Sequence, residues 1–415
     1  MQPNNPKGAP GHIPYSFTAP SGLRIVCDCN PDAHVEYVAA MIDAGSRDDP
    51  EGQEGIAHLV EHTIFKGTSK LRSSTIINTM ERLGGELNAY TTKELTAVYS
   101  VFPAGHARKA ANLIAELISD SQFPDDELEK EREVVIDEIN SYLDIPAENI
   151  FDEFEDLAFA ATPLGHNILG SADTVRSITS AHCRTYLARL YRAGSVVVAY
   201  SGPLPPHKAS RMLEKAFGSL STDAVEGRES KAQFAPTFRV ERQLSLHQAN
   251  VVMGAPAPSL VDTSRYAMLL LVNMLGGPSM NSRLNIALRE KRGLVYSVES
   301  WVNMYADTGV AAVYFGCDPS DVKRCMGLVS REIEKLATAP LSPASLMAAK
   351  RQYIGQLTVA SDNRESRLLG YARQMLHYGR INASADTAAI ILDISAEQLR
   401  QAAERLTAPS VLIMQ

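Results

Sequence analysis

VYSVESWVNMYADTGVAAVYFG (residues 295–316) sets β-branched and aromatic residues on either side of a short polar turn, and so reads as two strands. DVKRCMGLVSREIEKLA (321–337) and SPASLMAAKRQYIGQL (342–357) follow it and read as helices. The same grammar stands earlier in the chain. ELNAYTTKELTAVYSVFP (86–103) is a strand, a turn and a strand, and helices follow over HARKAANLIAELISD (106–120) and PDDELEKEREVVIDEINSYL (124–143). The later helices lie 215 to 218 residues after the earlier ones, with His106 opposite Asp321 and Leu128 opposite Leu346. Shared order and lengths predict an internal duplication. The expected fold is α+β, with two homologous domains, each a mainly antiparallel sheet covered by helices.

Outward from there, GLRIVCDC (22–29) and VEYVAAMIDAG (35–45) read as a strand pair, and SRDDPEGQEG (46–55) as a loop leading into a helix over IAHLVEHTIF (56–65). SSTIINTMERLGG (73–85) is a further helix closed by two glycines. SITSAHCRTYLARLY (177–191) and HKASRMLEKAFGSL (207–220) read as helices, and SVVVAYSG (195–202) as a buried strand. A chain of 415 residues is too long for one ordinary core. The expected division is a flexible lead-in over 1–21, a first domain over 22–219, a polar linker over 220–238 and a second domain over 239–415.

Composition excludes several classes. Apolar residues make up 45% and charged residues 21%, which suits a globular chain. No stretch reaches the ~18 uncharged apolar residues of a membrane span, so no membrane partner is expected. A formal charge of −8 and no Lys/Arg run argue against a nucleic-acid partner. The first twenty residues hold five Pro, one Lys and no apolar core, unlike a secretory signal. Cys27, Cys29, Cys183, Cys317 and Cys325 form no CxxC pair, and read as small thiols in a reducing, cytoplasmic setting.

Chemistry concentrates in His58-Leu59-Val60-Glu61-His62. Histidines four apart share one helical face, where both can bind one tetrahedral ion at ~2.0–2.1 Å. Glu61 points to the same side, placed to act on the attacking water rather than to bind the metal. Ile56, Leu59, Val60, Ile64 and Phe65 make the rest of the helix apolar, so the imidazoles lie at a packed interface and need a partner there. A third ligand must come from elsewhere. In ELEKEREVVIDEI (127–139), Glu131 and Glu138 stand seven apart, flanking Val134 and Val135; taken singly, Glu131 reads as a solvated helix carboxylate. The second copy has no HxxEH, and Gln356 falls opposite Glu138, so only the first half can build the site.

HLVEH followed, 76 residues after its second histidine, by the last Glu of EREVVIDE (131–138) resembles the pitrilysin/insulysin family of inverted-motif zinc peptidases. The likeness is to its short two-domain branch, which includes mitochondrial processing peptidase subunits. It extends over residues 22–380, through DDPEGQEGIAHLVEHTIFKGT (48–68), GGELNAYTTKELTAVY (84–99) and LREKRGLVYS (288–297). The resemblance implies one Zn2+ per chain, held by His58, His62 and Glu138, with Glu61 as general base and Glu131 behind a ligand. It implies that Asn88, Ala89, Tyr90 and Thr91 form an edge strand that pairs with a peptide substrate. The residues agree, since a short polar strand beside the metal helix can offer free N–H and C=O groups.

By the same resemblance Arg289 holds a substrate carbonyl and Tyr296 donates to the oxyanion; read alone, each is an ordinary helix or strand residue. These two fall in the second copy and the metal residues in the first, so the resemblance implies a homodimer with two composite sites, or a heterodimer with a related chain. The expected function is a zinc metallo-endopeptidase cutting short or unfolded peptides in a closed chamber. The alternatives are a non-catalytic or assembly subunit and a dedicated leader-peptide maturation protease. His12, His34, His106, His166, His182, His207, His247 and His377 match no motif, and structural or surface roles are expected for them.

Overall fold

The computed structural model describes residues 13–224, 227–228 and 231–415. The start of the lead-in, His12 and four positions of the expected linker lie outside the described residues. The first half runs β1 (Tyr15–Thr18), β2 (Arg24–Cys29), β3 (Val35–Ile42), α1 (Ile56–Thr63), α2 (Ser73–Glu81), β4 (Glu86–Thr91) and β5 (Thr96–Pro103). It continues through α3 (Ala107–Asp120), α4 (Asp125–Leu143), α5 (Pro146–Ala158), α6 (Ala172–Ser177), α7 (Ser180–Leu190), β6 (Val196–Gly202) and α8 (Pro206–Ala216). The second half runs β7 (Arg239–Arg242), β8 (Ala249–Pro256), α9 (Arg265–Gly276), a π-helical turn (Asn285–Glu290), β9 (Val295–Met304) and β10 (Gly309–Cys317). Then come α10 (Val322–Thr338), α11 (Pro343–Ala360), α12 (Arg364–Tyr378), α13 (Ser384–Asp393), α14 (Ala396–Glu404) and β11 (Ser410–Met414).

The strands form two sheets, ordered β1-β2-β6-β3-β5-β4 and β7-β11-β8-β10-β9. Position for position the second repeats the first without a counterpart of β1. β2 runs parallel to β6 as β7 does to β11, and the pairs β3–β5 and β8–β10 are antiparallel. The duplication expected from the helix spacing is therefore present in the strand order as well. Part of the lead-in is ordered: YSFT alternates, and pairs antiparallel with β2 from Tyr15 opposite Cys27 to Thr18 opposite Arg24.

By contacts the chain forms two compact units drawn from interleaved stretches rather than from contiguous halves. The first gathers residues up to 140, 166–229 and 360–384; the second gathers 141–165, 230–359 and 385–415. In the first unit one sheet face (Ile25, Val38, Ala40, Val98, Val198) packs against α1, α3, α7 and α8. Alternation sends Val26, Ala39, Met41, Ala97 and Val197 to the opposite face, where they meet Leu368, Tyr371, Ala372 and Met375 of α12. Covered on both sides, β6 is buried along its whole length, as its unbroken apolar run requires. Arg24 donates to the last carbonyls of α12, those of Met375 and Leu376, and Arg367 donates twice to the buried Asp28 carboxylate.

The second unit is built the same way. One sheet face packs α9, α10 and α14. The other takes Ile150, Phe154 and Ala158 of α5 against Val252, Val310, Ala312 and Leu412. Gly254 is required by this approach, because a Cβ there would lie 2.7 Å from the Phe154 ring. Each fully buried Ile or Phe here contributes about 1.5–3 kcal/mol. Each half of the chain thus lends one helix to the other half's sheet. Among the described residues no helix is long and apolar enough to cross a membrane.

Candidate metal centre

α1 begins at Gly55, whose φ of +96° is a turn that other residues adopt with strain, and which brings no capping side chain of its own. The cap comes from a distance. The buried Asp49 carboxylate accepts the Gly55 N–H (2.7 Å) and the Ala57 N–H (3.1 Å). Ile56, Leu59 and Val60 bury the helix in the first core, which places His58 at 8% exposure and leaves His62 half-buried. On α4, Leu128, Val135 and Ile136 are buried, and Arg132 donates to the Ile178 carbonyl. Val134 is half-exposed, so the apolar stripe between Glu131 and Glu138 is narrower than the pair of valines suggests.

His58, His62 and Glu138 converge, each offering one ligand atom within 4.8 Å of the others. Glu138 Oε2 lies 3.5 Å from His62 Nε2 and 3.9 Å from His58 Nε2. Ligands at ~2.05 Å around a tetrahedral ion stand roughly 3.3 Å apart, so small side-chain adjustments close these donors on one cation. Burial, and then the neighbouring His62, push the His58 imidazolium down to about 3, which leaves a neutral ring free to ligate. Two imidazoles and one carboxylate are a donor set that zinc accepts, and the residues fit that ion.

Glu61 Oε2 lies 3.9 Å from His58 Nε2 and accepts a hydrogen bond from the Thr91 hydroxyl at 3.3 Å. Burial raises the Glu61 carboxyl above the ordinary range and the nearby Glu138 adds to this, while His62 and Thr91 oppose it. Glu131 Oε2 is 3.3 Å from His62 Nδ1, and its Oε1 pairs with Lys66 Nζ at 2.6 Å. Glu131 is therefore neither solvated nor alone. Carboxylates that orient ligating histidines typically contribute 10–100-fold to metal affinity. Glu131→Gln is expected to weaken zinc by about that factor in a chelator competition, with the fold intact by circular dichroism.

β4 is an edge strand: it pairs with β5 and, on its other side, ends the sheet. Asn88, Ala89, Tyr90 and Thr91 are all half-buried there, next to α1, with the Tyr90 ring 6.2 Å from that of Tyr99. Arg289 lies in the last turn of the π-helical segment, Gly293 reverses the chain at φ +60°, and Tyr296 stands on β9 at 82% exposure. The Arg289 guanidinium lies 5.7 Å from the Tyr296 ring centre, so these two are together, in the second compact unit. Three contributors escaped the sequence reading. Lys66 stands four residues after His62, in the turn just past the end of α1, and its ion pair with Glu131 depends on the fold. Asp49 and His166, with His166 Nε2 3.3 Å from Asp49 Oδ2, are 117 residues apart and carry no local signal.

One inverted-motif metal centre in the first of two duplicated α+β units defines a class of metallopeptidase-like chains. Comparison with known proteins places it further. Residues 24–172 match the family described as Insulinase (Peptidase family M16), and residues 177–353 the Peptidase M16 inactive domain. An uncharacterized zinc protease of Mycobacterium bovis is 31% identical over 400 residues, covering 95% of this chain and 90% of that one. The "Probable mitochondrial-processing peptidase subunit beta, mitochondrial" of Arabidopsis thaliana is 28% identical, covering 94% and 75%. A protease from Helicobacter pylori has the same fold, with a TM-score of 0.89 at 21% identity over 97% of this chain and all of that one. The chain belongs to peptidase family M16.

Proposed function

We propose that this protein is a zinc-dependent endopeptidase acting on short or unfolded peptides, with Glu61 as its general base. The observation that carries the reading is the convergence of His58, His62 and Glu138 beside a half-buried Glu61 that is not needed as a ligand. Zinc held there would supply Lewis acidity, polarising the scissile carbonyl and lowering the pKa of water towards ~7. Glu61 takes a proton from the attacking water as the new C–O bond forms. It holds that proton and returns it to the amine nitrogen as the C–N bond breaks. Its raised affinity for a proton suits both steps. Thr91 keeps the carboxylate turned towards the site.

The edge of β4 suits an extended peptide, because backbone pairing reads shape and leaves side-chain preference loose. Arg289 and the exposed Tyr296 would hold a substrate carbonyl and the developing oxyanion, donors worth about 2.7–4 kcal/mol each where charge develops. A homodimer with composite sites belongs to the same proposal, as does a cytoplasmic setting, which the five free cysteines support. The test is a mixed peptide panel, incubated with the protein, with chelator, and with chelator followed by zinc. Broad, chelator-sensitive, zinc-restored cutting is expected. A single product would favour leader-peptide maturation, and none a non-catalytic subunit.

A further inference from the structure

The two histidines of the centre are not supported alike. His62 Nδ1 faces Glu131, whereas His58 Nδ1 is buried with no hydrogen-bond partner among the described residues. No hydrogen bond therefore orients the His58 ring from behind, and its aim leans on the backbone of the first turn of α1. That turn is held by Asp49, which takes the N–H groups of Gly55 and Ala57 from a position nine residues upstream of His58. Asp49 is in turn held by His166, 3.3 Å away. The loop carrying His166 is locked onto the same entry. Gly170, at φ +71°, lies so close that a Cβ would stand 2.1 Å from the Glu54 carbonyl, and the Thr174 hydroxyl donates to that carbonyl at 2.7 Å. On its other side Lys93 donates to the His166 carbonyl.

We propose that Asp49 and His166 form a positioning clamp that aims His58 by fixing the first turn of the metal helix. The clamp rests on the metal-centre reading above, and extends it to two residues outside the HxxEH motif. A carboxylate suits this role, since an anion at a helix N-terminus is favoured by the exposed N–H groups and the helix dipole. Burial pushes its pKa up to about 6 while His166 and the two N–H groups hold it down, so it remains ionised at neutral pH.

The test is zinc affinity by competition with a chromophoric chelator, on the full chain, alongside thermal melting. Asp49→Asn leaves one acceptor for two N–H groups and is expected to weaken zinc about tenfold or more, within the range for residues that orient ligands. His166→Ala is expected to weaken zinc as well, and His166→Gln to restore it, since an amide can donate to Asp49. Glu36→Gln is the control. Glu36 accepts the N–H groups of Gly105, His106 and Ala107 at the start of α3 much as Asp49 does for α1, but it serves no metal residue. It is expected to lower the melting temperature and leave zinc affinity unchanged. Wild-type affinity in both Asp49→Asn and His166→Ala, or an equal loss in Glu36→Gln, overturns the clamp. A wild-type protein that takes up no zinc would instead sink the metal centre itself, and the clamp with it.

Discussion

Glu61→Gln is expected to retain about one zinc per chain while losing peptide hydrolysis by about 10²–10⁴-fold. The amide has the size and shape of the carboxylate, and its oxygen can still accept from Thr91. It cannot take a proton at any working pH. Because His58, His62 and Glu138 form the converging set without Glu61, metal content and turnover should separate cleanly in this variant. Metal analysis after dialysis and steady-state kinetics read the two. Normal turnover in the variant would show that the proton goes elsewhere.

Glu138→Gln is expected to lose zinc itself. The substitution gives the first half what the second half already has, since Gln356 occupies the matching place on α11 and donates to Ser279. A neutral amide removes the only negative charge among the three converging donors. The loss of affinity should exceed the roughly 10–100-fold cost of removing an orienting carboxylate. Hydrolysis should fall in parallel at limiting zinc and recover in part at excess. If the variant holds zinc as tightly as the parent, Glu138 is not the third ligand, and Glu131, 3.3 Å from His62, becomes the alternative.

The site was legible where its signal is local. Histidines four apart on an apolar helix state their geometry in five residues, and the later copy's Gln356 shows by contrast what Glu138 adds. The duplication was legible because helix order and spacing survive when residue identity does not. The exchange of α5 and α12 was not. Ile150, Phe154 and Ala158 form an apolar stripe on one helical face, which implies burial but does not name the sheet that buries it. Asp49 and His166 were hidden for a related reason. Each is an ordinary loop residue by its local sequence, and only the fold brings one against the other.

The exchanged helices bear on how the protein is made. On a ribosome adding about 5–20 residues per second, the strands of the first sheet emerge on the order of ten to thirty seconds before the helix that will roof their second face. During that interval Val26, Met41 and Val197 lack the cover that α12 gives them, which leaves an apolar face of the nascent piece open to unwanted contacts. A gene split in the segment between the halves would leave each product with the wrong helix and one bare sheet face, and only their co-expression could restore both.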